Sequence, residues 1–171
     1  AGRVLAGAGL RRHRGWMAFV RDLDDLPPAV ETPFRIEHIG PGHGSDYGRI
    51  AAAGFDLTDR AVPLVAALAG RPDWHLFMTF DGDRPVGGGA LFRHGEYGWF
   101  DFGATRPDYR GRGSQTALLA HRIRAAAALG CRRLFTETGE AVRGDPQHSY
   151  RNILRAGFRE VALRDNYVPA A

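Results

Sequence analysis

The sequence predicts an α+β fold built on a mixed, mainly antiparallel central sheet with flanking helices. Three observations predict it. Residues 34–105 contain short apolar runs separated by turn residues, the pattern of a strand meander. Residues 114–129 form one long Ala/Leu-rich run of helical length. A strand–loop–helix–strand order follows, and a crossover of that kind makes two strands parallel.

The elements follow in order. Residues 1–15, rich in Ala, Gly and Arg, read as a partial helix and turn, and Trp16 to Val20 as a short strand. Asp22 to Pro33, with acids and three prolines, reads as a linker. Residues 1–33 are therefore expected to be an N-terminal extension and linker, and residues 34–171 the main domain. Ala8-Gly9-Leu10-Arg11 echoes Ala156-Gly157-Phe158-Arg159, so the extension also reads as the tail of a preceding half-domain; a chance match is the alternative. Phe34 to Ile39 alternates as a half-buried strand. Tyr47 to Ala53 and Asp59 to Leu68 read as short helices, the second with Thr58 as its N-cap. Trp74 to Phe80 and Val86 to Phe92 are strands joined by the turn residues Asp81 to Pro85. Tyr97 to Thr105 is a third strand. Ser114 to Leu129 is a helix that Gly130 can stop. Arg133 to Thr138 is a strand, Ser149 to Ala156 a helix, and Phe158 to Leu163 and Tyr167-Val168 the closing strands.

Composition narrows the function. The chain has 171 residues, 44% of them hydrophobic, enough for one compact core. No apolar run approaches the ~20 residues of a membrane span, and no secretory pattern is visible. The single cysteine, Cys131, has no disulfide partner within the chain, which points to a reducing compartment, and a cytoplasmic location is expected. Net charge is +4, and all 23 basic residues are Arg. They are scattered, which favours a small phosphate-bearing ligand over nucleic acid. The seven histidines show no metal-ligand spacing, so no metal is expected.

The segment Pro107 to Gln115 carries the most chemistry. It joins a strand to the long helix and holds Gly111 and Gly113, which allow close backbone approach. The first helical turn leaves amide N–H groups unpaired, and the helix dipole adds partial positive charge there. Arg110 and Arg112 can add charge-assisted hydrogen bonds. The result is an anion socket suited to phosphate. A P-loop is excluded because the sequence has no Lys. A dinucleotide fingerprint needs a third glycine and an early βαβ unit. An Arg/Gly-rich surface loop remains the structural alternative.

Arg110-Gly111-Arg112-Gly113-Ser114-Gln115 resembles the cofactor signature Gln/Arg-x-x-Gly-x-Gly/Ala of the GNAT acetyltransferase superfamily, with Gln115 at the last position. Ser149 to Phe158, ending in Ala-Gly-Phe, resembles the second common block of that family. The resemblance spans about Phe34 to Val168. It implies acetyl-CoA or a related acyl-CoA as donor, with the pyrophosphate on the backbone of Arg110, Gly111, Arg112, Gly113, Ser114 and Gln115. Gly103, Ala104 and Thr105 would meet the pantetheine arm and thioester, and Asn152 completes the cofactor set. The implied reaction is direct acyl transfer to a primary amine of a small acceptor, with no nucleic acid or membrane partner; a homodimer is compatible with it. A non-catalytic CoA-binding domain is the alternative. The tyrosine that usually protonates the leaving thiolate in the family would align with Ile153.

Three residues are candidates for the chemistry. Period-two alternation puts Asp101 on the same face as Gly103 and Thr105, which suits a general base; an ordinary paired carboxylate is the alternative. Glu137, with Glu140, flanks the end of the next strand, where a cationic acceptor would enter. Tyr150 lies one turn before Ile153 and is the candidate acid. His75 reads as structural, and His148 as a residue at the pocket rim.

Overall fold

The computed structural model describes residues 2–170. One seven-stranded sheet runs β2-β3-β4-β5-β6-β1-β7. The strands are β1 (Leu10–Asp22), β2 (Arg35–Ile39), β3 (Trp74–Asp81), β4 (Arg84–His94), β5 (Tyr97–Thr105), β6 (Arg133–Gly139) and β7 (Arg159–Pro169). The helices are α1 (Gly2–Gly7), α2 (Gly44–Gly54), α3 (Val62–Ala66), α4 (Ser114–Ala128) and α5 (His148–Arg155). Every strand pairing is antiparallel except β5 with β6, which are joined by the α4 crossover. This is the mixed sheet expected from the sequence. Among the described residues no helix is long and apolar enough to cross a membrane.

Two cores hold the layers together. On one face Leu118 and Ile123 of α4 and Ile153 of α5 pack on Phe19, Phe77, Leu91, Phe100 and Leu134. On the other, Tyr47, Ile50 and Ala51 of α2 and Val65 of α3 pack on Ile39, Leu76, Met78 and Ala90. Tyr47 is the largest wholly buried side chain, and its hydroxyl donates to Phe102 O at 3.3 Å.

Three departures from the sequence reading have physical causes. Residues 10–22 are built into the sheet, while the segment from Leu23 to Pro33 is the irregular linker expected. Strand β1 begins at Leu10 and lies inside the sheet, paired with β6 on one side and β7 on the other. Its early residues Arg12 and Arg14 look like turn residues in the sequence. In the fold, Arg12 pairs with Glu140 and Asp165, and Arg14 with Asp145. Likewise β7 is one unbroken strand through Arg164-Asp165-Asn166. Arg164 pairs with Glu137, Asp165 with Arg12, and Asn166 donates to Arg14 O. The second predicted helix is shorter in α form, with 3-10 turns on both sides of α3, and the Thr58 side chain makes no capping bond.

A small histidine cluster spans three elements. His38 on β2 stacks near His75 on β3 at 5.5 Å, and His121 of α4 packs edge-on against Phe77. Burial, and then the charge of His38, depress both His75 and His121. A depressed histidine binds fewer protons folded than unfolded, so folding loses stability as pH falls below about 6.5. The melting temperature is expected to be level above neutrality and to fall on acidification to about pH 5.5. Calorimetry across that range checks it, and the drop should shrink in His121→Gln.

Candidate functional site

The site exists because two parallel strands part. β5 and β6 pair only from Tyr97↔Arg133 to Phe100↔Thr136. Beyond Phe100, β5 continues to Thr105 with β4 as its strand partner and none on the β6 side, so its other edge opens into a cleft. A β-bulge marks the divergence. Gly88 and Ala90 of β4 face Ala104 and Asp101 of β5, so three steps on β5 match two on β4. Phe102 carries the strain with φ 48°, and its N–H donates to Asp101 Oδ1 at 2.7 Å.

Three successive glycines of β4 make room for this bulge. A Cβ on Gly87 would lie 2.5 Å from Ser114 Oγ, and on Gly88 2.7 Å from the Tyr47 ring. On Gly89 it would lie 2.7 Å from the Arg122 guanidinium carbon. Arg122 reaches from α4 under the sheet, and its Nη1 donates to Ala90 O at 2.9 Å and Asp101 O at 3.4 Å. Burial lowers its pKa to about 10, while Tyr47 and Asp101 act to raise it, so it stays charged at neutral pH. Arg122 and the glycine run escaped the sequence reading. The available signal was three glycines inside a strand, which marks close approach by other atoms.

The anion loop has the predicted form. Gly111 and Gly113 adopt φ 75° and 85°, and Gly113 is the N-cap of α4 without a side-chain cap. The first helical bond runs from Ala117 N–H to Gly113 O. Among the described residues no protein acceptor takes the N–H groups of Gly113, Ser114 or Gln115. The turn is not plugged: Gly111, Gly113, Ser114, Gln115 and Thr116 line a cleft of about 980 Å³ that continues along Gly103, Ala104 and Thr105. Tyr150 and Asn152 of α5 and Arg14 of β1 line it as well. These donors and this length fit the diphosphate and pantetheine arm of a CoA thioester.

Several predicted side chains do other work. Arg110 lines the cleft and donates to Thr105 O, but Arg112 turns away. It lies 3.6 Å from Asp81 and stacks over Phe34 and Tyr109, a better setting for its guanidinium than open solvent. The Ser114 hydroxyl is buried between Thr79 and Thr105. The Gln115 amide donates to Ala104 O at 2.7 Å and Thr105 Oγ1 at 3.1 Å, so it braces the bulged strand. Asn152 takes a hydrogen bond from Arg155.

The catalytic candidates separate. Asp101 does not share a face with Thr105, because the bulge resets the alternation. Thr105 meets Ser114 on the α4 side, whereas Asp101 accepts from Trp99 Nε1 at 3.3 Å on the opposite side from the buried Phe100. Phe102 lies beside it against Phe55 of the α2 region. Glu137 is neutralised by Arg164, and Glu140 by Arg12, whose hydrogen bonds lead in holding it below the ordinary carboxylate range. Neither carboxylate stands free for a cationic acceptor. The Tyr150 hydroxyl donates to Glu160 Oε1 at 2.6 Å, and burial together with that bond pushes it up to about 12. His75 lies in the histidine cluster, away from the cleft, and His148 lines its rim.

The comparisons with known proteins agree with this geometry. Residues 45–141, more than half of the chain, match the model of the acetyltransferase (GNAT) domain. A GCN5-related N-acetyltransferase from Sphaerobacter thermophilus superposes with TM-score 0.76 at 24% identity, over 96% of this chain and 55% of that one. The corresponding protein from Kribbella flavida gives 0.71 at 14%, over 99% and 63%. An acetyltransferase from Colwellia psychrerythraea gives 0.71 at 16%, over 96% and 59%. The chain thus spans a little over half of the length of these relatives. Among curated proteins none matches it. With the family model covering β3 to β6 and the anion loop between them, the chain belongs to the GNAT acetyltransferase superfamily.

Proposed function

We propose that this chain moves an acetyl or other short acyl group from acyl-CoA to a primary amine of a small acceptor. One observation carries the reading: a single cleft joins unpaired helix N-terminal donors to the open edge of β5. The donors hold the diphosphate, and the Gly103–Thr105 edge aligns the pantetheine so that the thioester carbonyl lies beside the bulge. Backbone N–H groups at that edge stabilise the oxyanion as the amine nitrogen attacks. The carbon–sulfur bond then breaks to leave an amide and the CoA thiol. Asp101 lies across β5 from the cleft lining, so in this reading it takes the amine proton through a bridging water. A thiolate is a weak enough base to leave from the tetrahedral intermediate, and it takes a proton from Tyr150 or water. Gly103, Ala104, Thr105, Arg110, Gly111, Gly113, Ser114, Gln115 and Asn152 form the cofactor site, the loop acting mainly through its backbone. A reducing compartment such as the cytoplasm suits the lone buried thiol of Cys131.

The test is release of free thiol from acetyl-CoA across a panel of amines. Asp101→Asn is expected to lower kcat/KM by ~100-fold or more with CoA affinity unchanged, the loss typical of a missing general base. An unchanged rate removes Asp101 from the mechanism. The second reading, a CoA-binding domain without catalysis, is favoured by the engaged Tyr150 hydroxyl and by Ile153 in the family's tyrosine position. CoA binding with no turnover on any amine would establish it instead.

A further inference from the structure

A second cavity opens beside the anion loop, against α2. Its volume is about 290 Å³, and it shares Gly54, Thr105 and Arg110 with the cofactor cleft. Ile50 and Ala53 of α2, Pro85 of β4 and Pro107 give it an apolar wall. Three arginines complete the lining: Arg49 of α2, Arg106 and Arg110.

Two of these arginines already have a counter-charge. Arg49 Nη2 donates to Asp46 Oδ1 at 2.7 Å, and Arg106 Nε donates to Asp108 Oδ1 at 3.3 Å. Arg110 has no carboxylate within ion-pair distance among the described residues, and only its Nε is engaged, on Thr105 O at 3.3 Å. Two neutral pairs and one free guanidinium leave the cavity with a charge that a single monoanion balances. A guanidinium fork matches a carboxylate through two parallel hydrogen bonds. The apolar wall matches a short hydrocarbon body behind that head.

The geometry points to a second ligand site in this cavity, for a small monocarboxylate whose head meets Arg110 and whose body lies along Ile50, Ala53, Pro85 and Pro107. A phosphate monoester fits less well. Its second charge finds no free cation, and its head alone leaves the apolar wall wet. The carboxylate and CoA would draw on the same guanidinium, so each weakens the binding of the other, by an equal factor in both directions. A carboxylate would thereby lower cofactor occupancy without entering the cleft. This coupling rests on the cofactor assignment above; the site itself does not.

Titration of the 171-residue chain with sodium butyrate, followed through its amide resonances by NMR, tests the site. Shifts are expected at Arg49, Ala53, Gly54 and Arg106, and butyramide, the uncharged analogue, should bind at least ~10-fold more weakly. Two substitutions outside the cofactor site should move the affinity in opposite directions. Asp46→Asn, which frees Arg49, is expected to tighten butyrate by ~3-fold, and Arg49→Gln, which frees Asp46, to weaken it by ~3-fold. Ala53→Phe, which fills the cavity, should abolish binding. Saturating butyrate should raise the Kd for CoA by ~5-fold or more. Shifts centred on Ser114 and Gln115 instead would put the anion in the diphosphate turn and overturn the site. Equal affinity for butyramide, or an affinity that neither Asp46→Asn nor Arg49→Gln moves, would overturn the carboxylate. A Kd for CoA that bound butyrate leaves unchanged would overturn the shared guanidinium. A chain that binds butyrate at Arg106 but no CoA would uphold the site and refute the cofactor assignment.

Discussion

Gly113→Glu is expected to lose at least ~100-fold of its affinity for CoA, about 2.8 kcal/mol, while remaining folded. Two effects combine. Gly113 lies at φ 85°, where a side chain costs about 1–2 kcal/mol. The new carboxylate would stand at the N-terminus of α4 among the donors meant for a diphosphate, where its own charge repels the ligand. The protein has space for the side chain: the nearest atoms to an added Cβ are Glu31 O at 3.9 Å and Thr32 Oγ1 at 4.0 Å. Gly113→Ala is the control, since it carries the strain without the charge and should keep most of the affinity. Calorimetric titration with CoA measures both. Unchanged binding in Gly113→Glu would remove the diphosphate from this turn.

Gly88→Val is expected to destabilise the fold by at least ~3 kcal/mol, a drop of about 10 °C in melting temperature. The added Cβ alone would lie 2.7 Å from two carbons of the Tyr47 ring, which is wholly buried. The ring has little room to retreat, because its hydroxyl is bonded to Phe102 O and its helix packs closely on α3. A Cβ on the adjacent helix residue Gly48 would lie 2.6 Å from Val62 O. Thermal unfolding checks the prediction; a melting temperature within a degree or two of the parent would mean the bulge has slack that the packing does not suggest.

The sequence made the meander, the long helix and the anion turn legible, because each rests on a local signal: alternation, an Ala/Leu run, or glycines ahead of a helix. It concealed whatever depends on distant partners. Arg12, Arg14, Arg164 and Asp165 look like loop residues until the Arg12–Asp165 pair and the pairs with Glu137, Glu140 and Asp145 are seen to hold β1 and β7 as strands. The bulge at Phe102 was hidden for a similar reason. It is set by the β4 glycines, Tyr47 and Arg122, and it moved Asp101 away from the face that period two assigned to it. For Arg112 and Gln115 the residues were singled out correctly as part of the loop, but their side chains serve the scaffold and leave the ligand to the backbone.

The position of β1 also governs how the molecule can be made. Its neighbours in the sheet, β6 and β7, are synthesised more than a hundred residues later. During translation β1 must wait as an unpaired ribbon until nearly the whole chain has emerged. Contacts of such sequence separation slow folding and prolong the exposure of sticky edges. The β2–β5 meander can form meanwhile, so refolding should show an early phase in the meander and a late one in which β1 is zipped between β6 and β7.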